Sequence, residues 1–547
     1  MANLDLTVER TLAYHQRTKH HLQQYARSPG YLDWATQPDP FRTYAGAPRI
    51  EFDLLADRVT SAYSNLFRPG VTPPQPIGVE TIGILFELSL GLSAWKEYQD
   101  SRWALRCNPS SGNLHPTEGY LIVPELPDLV GGVYHYVSRD HCLERRCLLS
   151  RMANVHLTAA LSPNCFLVGL SSIHWREAWK YGERAFRYCQ HDAGHAIASV
   201  RFAAATLGWF ARLLDAPSDA DVAALLGLDR DADFADVVAA DREHPNVLLL
   251  VSDTPRSSLP APLDLRSAPD GVWEGRANRL SPQHVDWPII DEVARATWKP
   301  ETEPMETFQP AELPPLIPSS QVAAATLIRQ RRSCLALDGK TLISAETFYR
   351  MLSSLLPRPG VAPWDTLPWE PRLHLGIFVH RVGGLTPGLY FFERNAAVHE
   401  RIRPALRDRF LWIRPPGCPE HLRLWCLAEV DLKDVSRVAS CHQEIASDGA
   451  FSLGMIAEFS DTIRQRGAWW YRRLFWESGV LGQMLYLEAE AAGIRSTGMG
   501  CYFDDFFHDL LGIETDAFHS LYHFTVGGPI DDHRLTTLAP YFHLEPK

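Results

Sequence analysis

The feature that most limits what this chain can fold into is an internal repeat. Residues 186–228 lie on residues 471–513 at a constant offset of 285, without a gap. Arg187 meets Arg472, Asp192 meets Glu477, Gly194 meets Gly479, Ala204 meets Ala489, Gly208 meets Gly493, and Leu225-Leu226-Gly227 meets Leu510-Leu511-Gly512. Chance does not hold such a register. Both copies begin as long helices rich in Ala, Gly and aromatic residues, a composition that lets helix backbones approach closely.

Two further matches extend the repeat. At offset 256, Gly132-Val133-Tyr134-His135-Tyr136 falls on Gly388-Leu389-Tyr390-Phe391-Phe392 and Glu144-Arg145 on Glu400-Arg401, which read as paired β-strands. At offset 266, residues 77–90 fall on residues 343–356, each an amphipathic helix. Helix, strands, long helix and closing strand recur in order, so the expected fold class is α+β, one domain duplicated and fused. Pro255 to Pro318 carries twelve prolines in 64 residues, which removes donors and fixes φ too often for continuous regular structure. The expected organisation is an arm at 1–59, a first domain at 60–254, this connector at 255–318, with a helix near 287–298, and a second domain at 319–547. A domain tethered to its own copy is expected to form an intramolecular pseudo-dimer, because the small-residue helices would otherwise present their packing face to water.

Composition excludes several function classes. With 65 acidic against 53 basic residues the formal charge is -12, and no basic patch offsets it, so no nucleic-acid partner is expected. The ten cysteines include no CxxC pair; neither a zinc ribbon nor a disulfide framework follows, no metal is expected, and a reduced cytoplasm fits. Residues 1–12 lack a basic-then-apolar leader, and no uncharged apolar run reaches the ~18 residues of a membrane span. A soluble protein without membrane attachment is expected.

The two copies keep different chemistry. Asn108 to Pro116 reads NPSSGNLHP, whereas its counterpart at offset 256 is WDTLPWEPR. Arg331-Arg332-Ser333 faces Asn65-Leu66-Phe67 at offset 266, and Thr497-Gly498-Met499-Gly500-Cys501 faces Arg212-Leu213-Leu214-Asp215-Ala216 at offset 285. These segments resemble the FMN-dependent nitroreductase superfamily, in particular its SagB-type dehydrogenase branch. Arg331-Arg332-Ser333 is similar to the RxS phosphate motif, Pro109 to Pro116 to the PSGGxLHP motif, Gly498 to Cys501 to the flavin-ring loop, and Lys180-Tyr181-Gly182-Glu183-Arg184 to the KYGER stretch of that branch. Leu335 departs from the pattern, where the family often has another cation.

The resemblance implies two nitroreductase-like domains, each a mostly antiparallel sheet flanked by helices, with FMN between them. Phosphate motif and ring loop come from one half and the PSS motif from the other. One intact composite site follows, hence one FMN per chain, and an opposite site stripped of its cation. In that site Arg331 and Ser333 bind the phosphate, with Arg534 as a second cation; Gly500 and Cys501 offer backbone N–H groups near N5; Ser110, Ser111 and Asn113 bond the pyrimidine edge. Lys180 and Tyr181 are the catalytic candidates, a general base for the proton lost as a hydride leaves carbon, with His115 next in line. The substrate is a small molecule or peptide-derived group, oxidised, or reduced with NAD(P)H as transient donor; the alternative is a weak or flavin-free partner subunit binding a peptide in the cleft. His191 and His195 are read as interfacial rather than metal-binding, His15, His20 and His21 as part of a solvated arm, and Trp469-Trp470-Tyr471 as core and interface. Asp39-Pro40-Phe41-Arg42 reads as a fixed turn of underived purpose.

Overall fold

The computed structural model describes residues 2–161, 164–256, 264–266, 268–316 and 320–544; connector residues 257–263, 267 and 317–319 lie outside them. The principal helices are α1 (Ala2–Arg17), α2 (Val79–Ser89), α3 (His174–Tyr181), α4 (Ala185–Thr206), α5 (Asp219–Leu226), α6 (Pro288–Ala296), α7 (Ala324–Gln330), α8 (Ala345–Ser354), α9 (Trp470–Ala491) and α10 (Asp504–Leu511). The principal strands of the first half are β1 (Leu92–Tyr98), β2 (Ser101–Arg106), β3 (Thr117–Val123), β4 (Gly132–Val137), β5 (Cys142–Leu149), β6 (Cys165–Ser172), β7 (Phe210–Leu214) and β8 (His244–Ser252). They are followed by β9 (Gly271–Trp273), β10 (Leu373–Val379), β11 (Gly388–Glu393), β12 (Arg423–Glu429), β13 (Phe451–Glu458), β14 (Arg495–Met499), β15 (Phe518–Gly527) and β16 (Thr536–Leu538).

Two antiparallel sheets share a six-strand order, β5-β4-β3-β6-β8-β7 and β12-β11-β10-β13-β15-β14, and β9 extends the first beyond β5. Period-two alternation splits each strand between two cores. In the first sheet Leu121, Val168 and Leu249 face a core that also holds Leu375, Ile377 and Leu453 of the second sheet; Ile122, Leu167 and Leu248 face an outer core beneath Leu225 and Leu226 of α5. The second sheet does the same, with Phe378, Phe391 and Ile456 against Phe507 of α10.

Contacts recur in pairs at the 285 offset. α4 and α9 are both 22 residues long and cross at Gly194 and Gly479. A Cβ on Gly194 would overlap the Trp476 carbonyl oxygen, and one on Gly479 the His191 carbonyl oxygen. The same offset relates the ion pairs Arg187–Asp504 at 2.9 Å and Arg472–Asp219 at 2.5 Å. It also relates Tyr188 Oη donating to the Gly500 oxygen at 3.1 Å and Arg473 Nη2 donating to the Asp215 oxygen at 3.5 Å. Each short helix after the crossing ends in a left-handed glycine, Gly227 or Gly512, the conformation a glycine adopts without strain.

Three expectations change. The arm is not solvated: His15 and His20 are buried, and His15 packs on Phe459, Tyr471 and His519, while His21 pairs with Asp505 at the surface. The connector takes the arm's place on the other side. Asp504 N–H donates to the His20 oxygen at 3.1 Å, and Asp219 N–H to the Lys299 oxygen at 3.0 Å. Second, Glu400-Arg401 does not form a strand with Glu144-Arg145's role; it lies in a short helix, His399–Ile402, and β12 comes later in the chain. Third, the Asp39-Pro40-Phe41-Arg42 turn has a purpose. Arg42 is buried against Glu243 at 3.2 Å and donates to the Asp241 and Asn278 carbonyls, tying the connector to the first sheet.

Gly194→Ala is expected to cost about 1–3 kcal/mol, because the added methyl meets backbone rather than a side chain that can move; the urea midpoint measures it. Burial alone would raise the Asp504 carboxyl, but Arg184 and Arg187 overcome this and hold it well below the usual range. That stabilisation is present above about pH 4 and is lost as pH falls. Asp504→Asn is therefore expected to cost about 3–5 kcal/mol at neutral pH, with the gap to the parent narrowing in acid denaturation series below pH 4.

Candidate functional site

The hairpin β1–β2 has no counterpart in the second half, and it joins the two sets of motifs. Arg331 follows α7 and is 4% exposed. Its Nη2 donates to the Arg106 oxygen at 3.0 Å, where β2 leads into the NPSSGNLHP loop, and its guanidinium lies 5.0 Å from the Tyr486 ring centroid. It has no carboxylate partner among the described residues, and its Nε has no partner at all. Burial lowers its pKa. Arg332 donates to the Ser93 oxygen of β1 at 3.0 Å, and burial, with Arg331 beside it, lowers its pKa to about 10. Ser93 Oγ, Asn108 Oδ1 and Ser496 Oγ are also buried without partners. Two cations and the Ser93 and Ser496 hydroxyls thus lie at one junction, with the acid Glu490 also within range of both cations.

Ser333 is exposed on the rim, with its Oγ 2.8 Å from Tyr486 Oη, which accepts from Gly498 N–H at 3.0 Å. Arg534 does not join this cluster. Its side chain is 74% exposed and paired with Asp532 at 2.7 Å, and the family-like role given to it has no geometric counterpart. Leu335 is 79% exposed and lends no charge.

At the other end of the cleft, first-half groups meet the Gly498–Cys501 loop. The Gly500 oxygen accepts from Tyr188 Oη at 3.1 Å and Arg184 Nη2 at 3.2 Å, and a Cβ there would overlap the Tyr188 ring. Tyr181 packs edge-on to Tyr188 at 4.6 Å. Gly112, at φ +60°, leaves room for Tyr181 Oη and Lys180 Nζ, which a side chain would fill. Lys180 and Tyr181 close α3, and Gly182 at φ +55° turns the chain beneath Arg27. Ser111 donates to Asp192 through both N–H and Oγ at 3.1 Å. Ser110 Oγ accepts from His115 N–H at 2.8 Å, and Asn113 Nδ2 donates to the Ala104 oxygen at 2.9 Å. His115 is buried, and burial with Arg106 nearby holds its pKa well below the ordinary imidazole value. The structure thus gathers Ser110, Ser111, Asn113, Lys180, Tyr181, Gly500 and Cys501 at one end and Arg331 and Ser333 at the other.

The opposite cleft is lined by second-half tryptophans and by the connector. Trp364, Leu367 and Trp369 of the WDTLPWEPR segment are buried, and Glu477 is bound by Arg394 at 2.5 Å and Trp369 Nε1 at 3.3 Å. Arg473 sits among Trp369, Trp469 and Trp470. The connector runs through the remainder: Met305 N–H donates to Asp215 at 2.9 Å, Arg212 to Thr307 at 2.5 Å, and Phe308 N–H to the Pro368 oxygen at 2.8 Å.

Three participants carried no signal in the sequence: the hairpin, buried Glu177 on α3, and Cys441, which is near enough to Cys501 for the two thiols to perturb each other, lowering Cys501 and raising Cys441. His191 and His195 lie in the helix interface, bonded to the Leu521 oxygen and to Gln483 and Tyr522. Among the described residues no group of three or more His, Cys, Asp or Glu could hold a metal, and no helix is long and apolar enough to cross a membrane.

No family model matches the chain. A putative nitroreductase of Anabaena variabilis superposes with a TM-score of 0.67 at 20% identity, covering 95% of this chain and 99% of that one. The fold is nitroreductase-like. A putative nitroreductase of Methanocaldococcus jannaschii is 29% identical over 130 residues, 23% of this chain. The match spans 64% of that relative, less than two thirds of its length. An FMN-dependent nitroreductase of Clostridium difficile matches 37% of this chain and 86% of its own at 9% identity, with a TM-score of 0.22. In this nitroreductase-like scaffold the half-buried Cys501 is expected to be alkylated by iodoacetamide ahead of the other cysteines, since the thiolate is the nucleophile. Cys441→Ser is expected to slow that reaction, as read by peptide mass spectrometry.

Proposed function

We propose that the chain is an FMN-dependent oxidoreductase of the SagB-type dehydrogenase kind, built as a fused pseudo-dimer with one composite flavin site. The observation that carries this reading is Arg331, a buried cation beside Arg332 that is hydrogen-bonded to the base of the PSSGNLHP loop of the other half. The reciprocal contacts at offset 285 support the pseudo-dimer, and the connector running through the opposite cleft supports a single flavin. Arg331 and Arg332 would hold the phosphate, Gly498 to Cys501 the ring, and the Ser110–Asn113 turn its pyrimidine edge.

Bound there, FMN supplies a two-electron hydride acceptor and donor. The chain supplies position and protons. Burial, then the charge of Glu177, pushes the Tyr181 phenol well above its ordinary pKa, so Tyr181 holds a proton at neutral pH and passes it on rather than standing as phenolate. Lys180 Nζ lies beside it against Gly112, placing both at the mouth where a small or peptide-derived substrate would enter.

Purified protein is expected to be yellow with one FMN per chain, by absorbance against protein concentration; two or none would overturn the composite site. Arg331→Ala should weaken FMN binding by about 1.5–3 kcal/mol for a lost charged hydrogen bond, and Asn65→Ala should leave it unchanged. Stopped-flow mixing with NADH or NADPH separates the directions: rapid bleaching marks a reductase, slow bleaching with reduction by substrate a dehydrogenase. Lys180→Ala and Tyr181→Phe should retain the flavin while losing about 10²- to 10⁴-fold in substrate oxidation.

A further inference from the structure

Between Tyr14 and Arg27 the arm threads between the Gly182–Arg184 turn, which follows Lys180-Tyr181, and the start of α10, which follows the Gly498–Cys501 loop. On the first side Arg17 holds the Glu183 carboxylate at 2.8 and 2.6 Å, Tyr14 Oη donates to the Glu183 oxygen at 2.8 Å, and Glu183 N–H donates to the Arg27 oxygen at 3.0 Å. On the second side His20 N–H donates to the Asp504 carboxylate at 2.9 Å, Lys19 pairs with Asp505 at 2.7 Å, and Tyr25 packs on Phe503 at 5.6 Å between ring centroids. One guanidinium links the arm to the loop. Arg184, 1% exposed, donates to the Thr18 oxygen at 2.6 Å, to Asp504 at 3.0 Å and to the Gly500 oxygen at 3.2 Å.

Tyr188 Oη is a second donor to the Gly500 oxygen, at 3.1 Å, and Gln443 Nε2 holds the Cys501 oxygen at 2.9 Å. A peptide is planar and trans, so its oxygen and its N–H point in opposite directions, and fixing one fixes the other. Arg184 and Tyr188 thereby set the direction of the Cys501 N–H, which donates to none of the described residues. The opposite cleft offers a comparison. There Trp469 stands at the register of Arg184, and the loop is held by Lys299 of the connector itself, whose Nζ donates to the Ala216 and Pro217 oxygens at 3.0 Å each. Both loops are thus tied to the segment that flanks them. Only at the first cleft does the tie pass through a residue of the Lys180-Tyr181 turn.

We propose that the arm is a working part of the composite site: Arg184, held by the arm, and Tyr188 position the Gly500–Cys501 peptide for the cofactor, so that docking of the arm and binding of FMN favour one another. The inference rests on the oxidoreductase reading above, which supplies the FMN. Arg184 and Tyr188 are positioning residues, acting through the loop. The physical basis is shared ordering. A loop already held by the arm loses little further freedom when a ligand binds, and a ligand that holds the loop keeps Gly500 and Asp504 in place for Arg184 and the arm. Coupling between two sites is reciprocal, so the factor by which the docked arm strengthens FMN binding is the factor by which FMN strengthens arm docking.

Hydrogen exchange of the full-length protein, read by mass spectrometry with and without added FMN, tests both parts. In the cofactor-free protein Tyr188→Phe should speed exchange over residues 498–503 by about 3- to 10-fold, the loss of one hydrogen bond, and Arg184→Gln by at least as much. The counterpart residues 212–216 should keep the parent rate in both. In the parent, FMN should slow exchange over residues 14–27 as well as 498–503. In Arg184→Gln the protection of 14–27 should be lost, while FMN held at the Arg331 end still slows residues 331–334. Tyr188→Phe leaves every arm contact in place, so it carries the test should Arg184→Gln fail to fold. Exchange over 498–503 indifferent to Tyr188→Phe overturns the positioning. FMN that binds yet leaves 14–27 unprotected overturns the coupling. A parent that binds no FMN overturns the oxidoreductase reading, while the cofactor-free comparison still decides whether Tyr188 and Arg184 fix the loop.

Discussion

The crossing of α4 and α9 at Gly194 and Gly479 governs the rest of the molecule. Backbone touches backbone there, each glycine lying where a Cβ would strike a carbonyl oxygen of the other helix. Neither helix can gain or lose a residue near the crossing without rotating its side chains out of register. This is the physical reason the 285 offset runs unbroken from residue 186 to residue 228. The same register carries Arg187 to Asp504 and Arg472 to Asp219. It thereby sets Tyr188 of α4 against the Gly500 oxygen and Arg473 of α9 against the Asp215 oxygen, so two reciprocal contact regions follow from one crossing.

Much of this was legible because the repeat lies in side chains that pack. The β3/β10 and β4/β11 pairs keep an offset of 256, since buried strands alternate between two filled cores and tolerate no slip. The register fails beyond β4 because its turn to β5 is short, whereas β11 is followed by a long helical excursion before β12. The equivalence of arm and connector left almost no trace, because it rests on the carbonyls of His20 and Lys299, which any side chain can accompany. Thr18 and Thr297, each bonded to the carbonyl four residues earlier, are its only shared side chain there.

Within the candidate site, residues whose chemistry is local were easier to place than residues whose partners are distant. Arg331 lies buried against the start of the NPSSGNLHP loop, and the Gly498–Cys501 loop meets first-half residues. Arg534 reaches neither, because Asp532 two residues earlier captures its guanidinium on the surface. Cys501 lacked a visible partner because Cys441 is brought to it only by the fold. Glu177 gave no signal because an acid on a short helix is ordinarily solvated; only the packing of α3 beneath the loop buries it.

The two clefts show what a fused pair can do that a symmetric dimer cannot. In a symmetric dimer every substitution changes both sites at once. Here the second cleft pairs Glu477 with Arg394, encloses Arg473 among three tryptophans and accepts Phe308 of the connector. Its tryptophans and the connector cover much of its apolar surface, while Arg473 Nε and Nη1 remain without hydrogen-bond partners. The first cleft keeps Arg331 beside Arg332, and glycines at positions where a Cβ would overlap Tyr181 or Tyr188. Buried polar groups without partners cost free energy, so both clefts carry such a cost, and they differ in what surrounds the guanidinium: three tryptophans about Arg473, a second cation beside Arg331.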